Sequence, residues 1–182
     1  MENQTKGKKP LDILWKIDDF MALGEKHVAT LLFIAMIFFM VYQVTARFIL
    51  QIPAPWTEEL SRYLWICMGF IGSGVAMKTQ THIEINVIQT YIDNVKDTKK
   101  KAQVIKLIDL VRFSIILAFC AYMAHMCFDF TLRVIAMNQL TPALQIPKWW
   151  IDAVITFGWA SMAFHSFILI LKTLFLQTGD ES

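Results

Sequence analysis

The chain has 182 residues, of which 56% are hydrophobic, with 14 Phe and a mean hydropathy of +0.48. A chain this apolar is excluded from the ordinary soluble domains of its length, and it reads as an all-α membrane protein. The net charge of +2 gives no ground for nucleic-acid binding.

In chain order, residues 1–9 are a polar tail. Over 10–26, Leu14, Ile17 and Met21 fall on one side, with Asp12, Lys16, Asp19 and Lys26 on another. This spacing predicts an amphipathic helix lying in the head-group layer, with Trp15 as an anchor, before the chain turns into its first span; a disordered tail is the alternative. Four stretches free of Asp, Glu, Lys and Arg follow: Val28 to Ala46, Tyr63 to Met77, Phe113 to Phe128 and Ala153 to Leu171. Crossing a bilayer takes about 20 residues, so with their flanks these predict transmembrane helices at about 28–50, 57–79, 103–136 and 149–172.

The two prolines of "QIPAPW" end the first span and make Thr57 the expected N-cap of the second. Glu58 and Glu59 then occupy its first turn, facing the positive end of the helix dipole, with Arg62 on the same face. These charges either cap and pair locally or hold a partner. Further along, Gly69, Ser73 and Ala76 share a face, and Gly72 with Ala76 repeats the small-xxx-small spacing that lets helices approach closely in lipid. That face serves either the chain's own packing or another subunit.

Ile85, Ile88 and Ile92 predict a second surface helix over 82–95, ending in a lysine run suited to phospholipid head groups. Asp109 and Arg112 mark the inner end of the third span, and Asp129 and Arg133 form an i,i+4 pair at its outer end. "NQLTPALQIPKWW" is the outer connection to the fourth span, finished by Trp149 and Trp150 at the level of the aromatic belt.

Lys and Arg number five before the first span, two in 47–62, seven in 78–112, two in 133–148 and one beyond the fourth. Because basic loops resist translocation, the alternation predicts cytoplasmic N- and C-termini.

Catalysis needs a convergent nucleophile, base and electrophile, whereas every Asp, Glu, Lys and Arg here is expected at a span end or in a loop, which argues against an enzyme. Cys67, Cys120 and Cys127 read as small apolar filler within spans. The four histidines are His27, His82, His125 and His165. His125 and His165 differ in depth by roughly 10–20 Å, too far apart to share one iron, and His27 with His165 is the least unsuitable pair for a haem. Neither a haem nor a metal is expected as cofactor.

"PWTEELSRYLW" (55–65), "THIEINVI" (81–88) and "TPALQIPKWW" (141–150), in that order on four spans, resemble the small membrane subunit of tripartite ATP-independent periplasmic transporters. On the family pattern, Trp56, Glu59 and Arg62 match the acidic segment opening the second span, and Gly69 and Gly72 match its span glycines. His82 and Ile83 match its histidine-hydrophobic motif, and Leu144 and Pro147 its outer loop. Where the family often has Pro-Gly in the last span, Phe157 and Gly158 stand here, which puts a kink at that point in doubt. The resemblance implies a non-catalytic scaffold in the bacterial inner membrane. Its partners would be a large elevator-type membrane subunit and a periplasmic substrate-binding protein, in sodium-driven import of an organic anion such as a C4-dicarboxylate or a sialic acid.

Overall fold

The computed structural model describes residues 8–79 and 98–175, with side chains at 13–79 and 103–175. Four helices make up nearly all of it: α1 (Lys8–Thr45), α2 (Pro55–Thr79), α3 (Thr98–Ala136) and α4 (Trp149–Phe175). Among the described residues there is no strand, only one isolated bridge between Leu140 and Pro147.

The expected break between a surface helix and the first span is not there. Lys8–Thr45 is one continuous α-helix, ending in a π-helical turn at Ala46–Leu50. Its one proline, Pro10, lies in the first turn, where no backbone N–H is needed, and Gly24 alone costs too little to stop the helix. The turn closes where Ile52 donates its backbone N–H to Ala46 and Gln51 takes a left-handed conformation with φ 54°. α2 starts at Pro55, two residues ahead of the expected cap, because proline's fixed φ suits the first helical position. Thr57 is therefore inside the first turn, fully buried, its hydroxyl donating to the Ala54 carbonyl at 2.7 Å.

The helices form an open row in the order α1, α2, α4, α3. α1 runs antiparallel to α2, so that Phe39 and Tyr42 meet Trp56 near one end while Asp19 meets Lys78 near the other. α4 runs alongside α2 in the same direction, and antiparallel to α3. The first turns of α1 and the last turns of α4 consequently share one end of the row, where Lys172 lies 3.9 Å from Asp18.

Two glycines set the spacing of the row. A Cβ at Gly158 would stand 2.8 Å from the Phe70 carbonyl oxygen, so α4 touches the backbone of α2 there. α4 is continuous through this residue, as one helix over Trp149–Phe175. Gly74 leaves space for a side chain from α1, described below. The apolar core is small, built on Met77, Phe113 and Leu169 with Ile116 and Ile170 against it. Large apolar side chains such as Phe20, Phe38, Phe48, Ile115 and Tyr122 remain exposed along the row.

Among the described residues, three helical stretches are long and apolar enough to cross a membrane: Ile13–Leu50, Pro55–Thr79 and Trp149–Phe175. They make this a multi-pass membrane protein. Apolar helices gain no hydrophobic free energy by meeting one another in lipid, so close backbone contact and polar ties take over the work of association.

Candidate functional site: a clasped loop, an open groove and a buried charge cluster

Glu58 and Arg62 form an exposed pair at 3.4 Å, with side chains about equally open at 62% and 59% exposure, Arg62 first. Glu59, one residue on, turns the other way and is buried. One of its carboxylate oxygens accepts the backbone N–H groups of Ala143 and Leu144 at 2.7 and 2.8 Å, and the other accepts the Tyr63 hydroxyl at 2.6 Å. Two amides of a loop have thus found a buried acceptor on a helix more than 80 positions away in sequence.

The loop offers those amides because it is internally locked. Leu140 and Pro147 pair across it, the Thr141 N–H donates to the Ile146 carbonyl at 2.8 Å, and Gln145 adopts φ 54°. Thr141 is fully buried beneath the turn, its hydroxyl accepting the Ile146 N–H at 3.2 Å. The structure therefore brings Glu59 together with Leu144, residues of two motifs separate in sequence, while Pro147 pairs with Leu140 within the same loop. Trp56, 39% exposed, packs edge-on against Phe39 and tilted against Tyr42.

The small-residue face of α2 is split. Ser73 is taken up internally, donating to the Phe70 carbonyl at 2.7 Å and to the Met162 sulfur at 3.2 Å. A Cβ added at Gly69 would meet nothing beyond its own helix within 4 Å, and one at Gly72 would meet only the Ala29 methyl at 3.9 Å. Both glycines, with Ala76, Ala29, Thr30, Phe33 and Met68, line an open, apolar groove of about 440 Å³ between α1 and α2.

A third feature was not foreseen. Asp18 and Glu25 of α1 are buried against α2 and α4 around a fully buried His165. His165 Nδ1 lies 2.5 Å from Asp18 and Nε2 lies 3.2 Å from Glu25, whose other oxygen accepts the Ser161 hydroxyl. Lys78 of α2 closes the group, at 3.1 Å from Asp18 and 2.6 Å from the exposed Asp19. The expectation that charge sits only at the ends of the helices fails here, because α1 carries its acidic turns into the packed row. Asp18, Ala22, Glu25 and Ala29 recur at i, i+4, i+7 and i+11, and this stripe was the available signal. It lies beside the Leu14, Ile17, Met21 stripe, of which Ile17 stays exposed.

On α3, Asp109 and Arg112 pair at 3.2 Å. Asp129 does not meet Arg133; it reaches back to His125 Nδ1 at 3.3 Å, in keeping with helical side chains leaning toward the N-terminus. Cys67 and Cys120 are buried and Cys127 half-buried, all as free thiols. His82 and the expected surface helix over 82–95 lie outside the described residues.

A row of helices, three of them long and apolar enough among the described residues to cross a bilayer, defines a multi-pass membrane protein. The chain belongs to the family described as "Tripartite ATP-independent periplasmic transporters, DctQ component", whose model matches residues 36–176. That family is a transporter component and not a catalytic one.

Two relatives carry more specific names. Over 61 residues the chain is 31% identical to the "Sialic acid TRAP transporter small permease protein SiaQ" of Vibrio cholerae serotype O1, covering 34% of this chain and 35% of that protein. Over 64 residues it is also 31% identical to the "Sialic acid TRAP transporter permease protein SiaT" of Haemophilus influenzae, covering 35% of this chain and 10% of that protein. The matched stretch is thus about a third of SiaQ and a tenth of SiaT.

Proposed function

We propose that this chain is the small membrane subunit of a sodium-driven, binding-protein-dependent importer of organic anions, and that it acts as scaffold for a large elevator-type subunit. In this reading it crosses the bacterial inner membrane four times, with α3 as the remaining span and both termini in the cytoplasm. The observation that carries the proposal is the open groove over Gly69 and Gly72, on a row whose apolar side chains are left uncovered. In lipid a groove floored by glycine is where a foreign helix gains most contact. The occupant is a helix of the large subunit.

A stretch similar to this chain occurs both in a protein named as a small permease and within a far longer chain named as a permease, which supports partnership with a larger membrane subunit. Both names also favour the sialic acid class over C4-dicarboxylates. Trp56, Glu58 and Arg62 at the outer end, beside the clasped loop with Leu144, are the surface assigned to the large subunit or the periplasmic binding protein. Phospholipids cover the rest, with the basic run at 99–101 near their head groups.

The test is co-purification and reconstitution. Gly69→Leu with Gly72→Leu should leave the isolated chain folded, yet abolish co-purification with the large subunit and sodium-dependent uptake of sialic acid into proteoliposomes containing the binding protein. Undiminished assembly and uptake would refute the groove as the contact, and uptake by this chain alone would refute the scaffold role.

A further inference from the structure

The cluster around His165 holds three carboxylates, Asp18, Asp19 and Glu25, against two ammonium groups, Lys78 and Lys172. With a neutral imidazole it would carry one uncompensated negative charge, next to side chains of Asp18, Glu25 and His165 that are at most 5% exposed. An unpaired charge in such a place is costly, whereas a neutral group of hydrogen-bonded ions is tolerated. The ring geometry gives the same answer independently. Both nitrogens face carboxyl oxygens, so the two contacts need one proton more than a neutral imidazole with two carboxylates supplies, and the imidazole is the most basic of the three groups to hold it.

We propose that His165, Asp18 and Glu25 form a buried proton-binding site, filled at neutral pH, that fastens the early turns of α1 to α2 and α4. The bound proton makes His165 an imidazolium bridging two carboxylates of one helix, 18 and 25, from a neighbouring helix. It also brings the group to three positive and three negative charges. The ligand is a proton and not a metal ion: each ring nitrogen is committed to a separate carboxylate, so the three side chains do not point at one common centre, and among the described residues no group is arranged to hold a metal ion.

Every packed element contributes to this setting. α1 supplies Asp18, Asp19 and Glu25, α2 supplies Lys78, and α4 supplies Lys172 and the Ser161 hydroxyl on Glu25. α3 gives a backbone carbonyl, Phe113, to the Ser166 hydroxyl at 3.0 Å and carries its own Asp109–Arg112 pair. Gly74 is part of the site by default, since a Cβ there would stand 2.6 Å from the Glu25 oxygen that faces the ring.

The direct test is nitrogen NMR on the full chain in lipid nanodiscs, labelled in histidine, with His27→Gln, His82→Gln and His125→Gln so that His165 is the sole ring observed. At about pH 7, where an unperturbed imidazole is mostly neutral, both ring nitrogens should show the protonated signature. One bare nitrogen, the mark of a neutral ring, would overturn the proposal.

A charge-balance experiment is independent of that spectrum. H165Q should lower the unfolding temperature by several degrees, because it leaves one carboxylate without its counter-charge. Adding E25Q should restore at least half of the loss. A double variant no better than H165Q would mean that hydrogen bonds and packing, and not charge, hold the cluster, and would overturn the proposal. If H165Q does not fold, recovery of folded chain in the double variant supports the proposal and failure to recover it counts against it.

Discussion

Gly158→Ala and Gly69→Ala are the same chemical change on neighbouring helices, and the structure assigns them opposite signs. At Gly158 the new Cβ would meet the Cβ and carbonyl oxygen of Phe70 at 2.8 Å and its carbonyl carbon at 3.0 Å. Carbon atoms rest at about 3.5–4.0 Å, so α4 must retreat from α2 by about 0.7 Å, and a backbone contact cannot rotate away as a side-chain tip can. Overpacking against a backbone that cannot move aside costs about 2–3 kcal/mol, the upper part of the usual range, offset by about 1 kcal/mol from alanine's better helix propensity. The net effect is a loss of about 1–2 kcal/mol, or a fall of about 2–8 °C in unfolding temperature for a chain of this size. At Gly69 nothing lies within 4 Å, so only the propensity gain remains, about 0.5–1 kcal/mol in favour of the fold. The thiols supply the assay, since Cys67 and Cys120 are buried and become available to a thiol-reactive dye only as the row comes apart. A Gly158→Ala chain as stable as the parent, or a Gly69→Ala chain that unfolds earlier, would refute the assignment of Gly158 as the point of closest helix contact.

Gly74→Ala should cost about 2–4 kcal/mol in the same dye assay, because the methyl would stand 2.6 Å from a Glu25 oxygen and drive that carboxylate off His165. Glu59→Ala should leave the Ala143 and Leu144 amides without their acceptor, and their hydrogen exchange should quicken by at least about tenfold, whereas Glu59→Gln, which keeps a carbonyl oxygen, should show a smaller change. Glu58→Ala and Arg62→Ala should each shift stability by less than about 0.5 kcal/mol, because their pair is open to solvent. Any loss of uptake or of assembly in those two variants would then report a partner contact and not a weakened fold.

The long charge-free runs determined the helices themselves, because a backbone in lipid must satisfy its own hydrogen bonds and a helix does so locally. The order of "PWTEELSRYLW", "THIEINVI" and "TPALQIPKWW" likewise determined the family without any coordinates. Tertiary structure alone decided where the polar groups went. Glu59 reads from sequence as a capping or docking charge, yet its partners are two amides in a loop 84 and 85 positions downstream, and no helical periodicity encodes a long-range hydrogen bond. Asp18 and Glu25 fall within the 10–26 stretch that reads as a surface helix. They became buried because α1 continues without a break and lays that stripe against His165, 147 and 140 positions away. The glycines divide in the same way, since spacing marks Gly69 and Gly72 as places for close approach and is silent on Gly74, and only the crossing of the helices makes Gly74 room for a carboxylate while leaving Gly69 open. Local pattern fixes which residues share a face of a helix; which helix that face meets is a property of the packed chain.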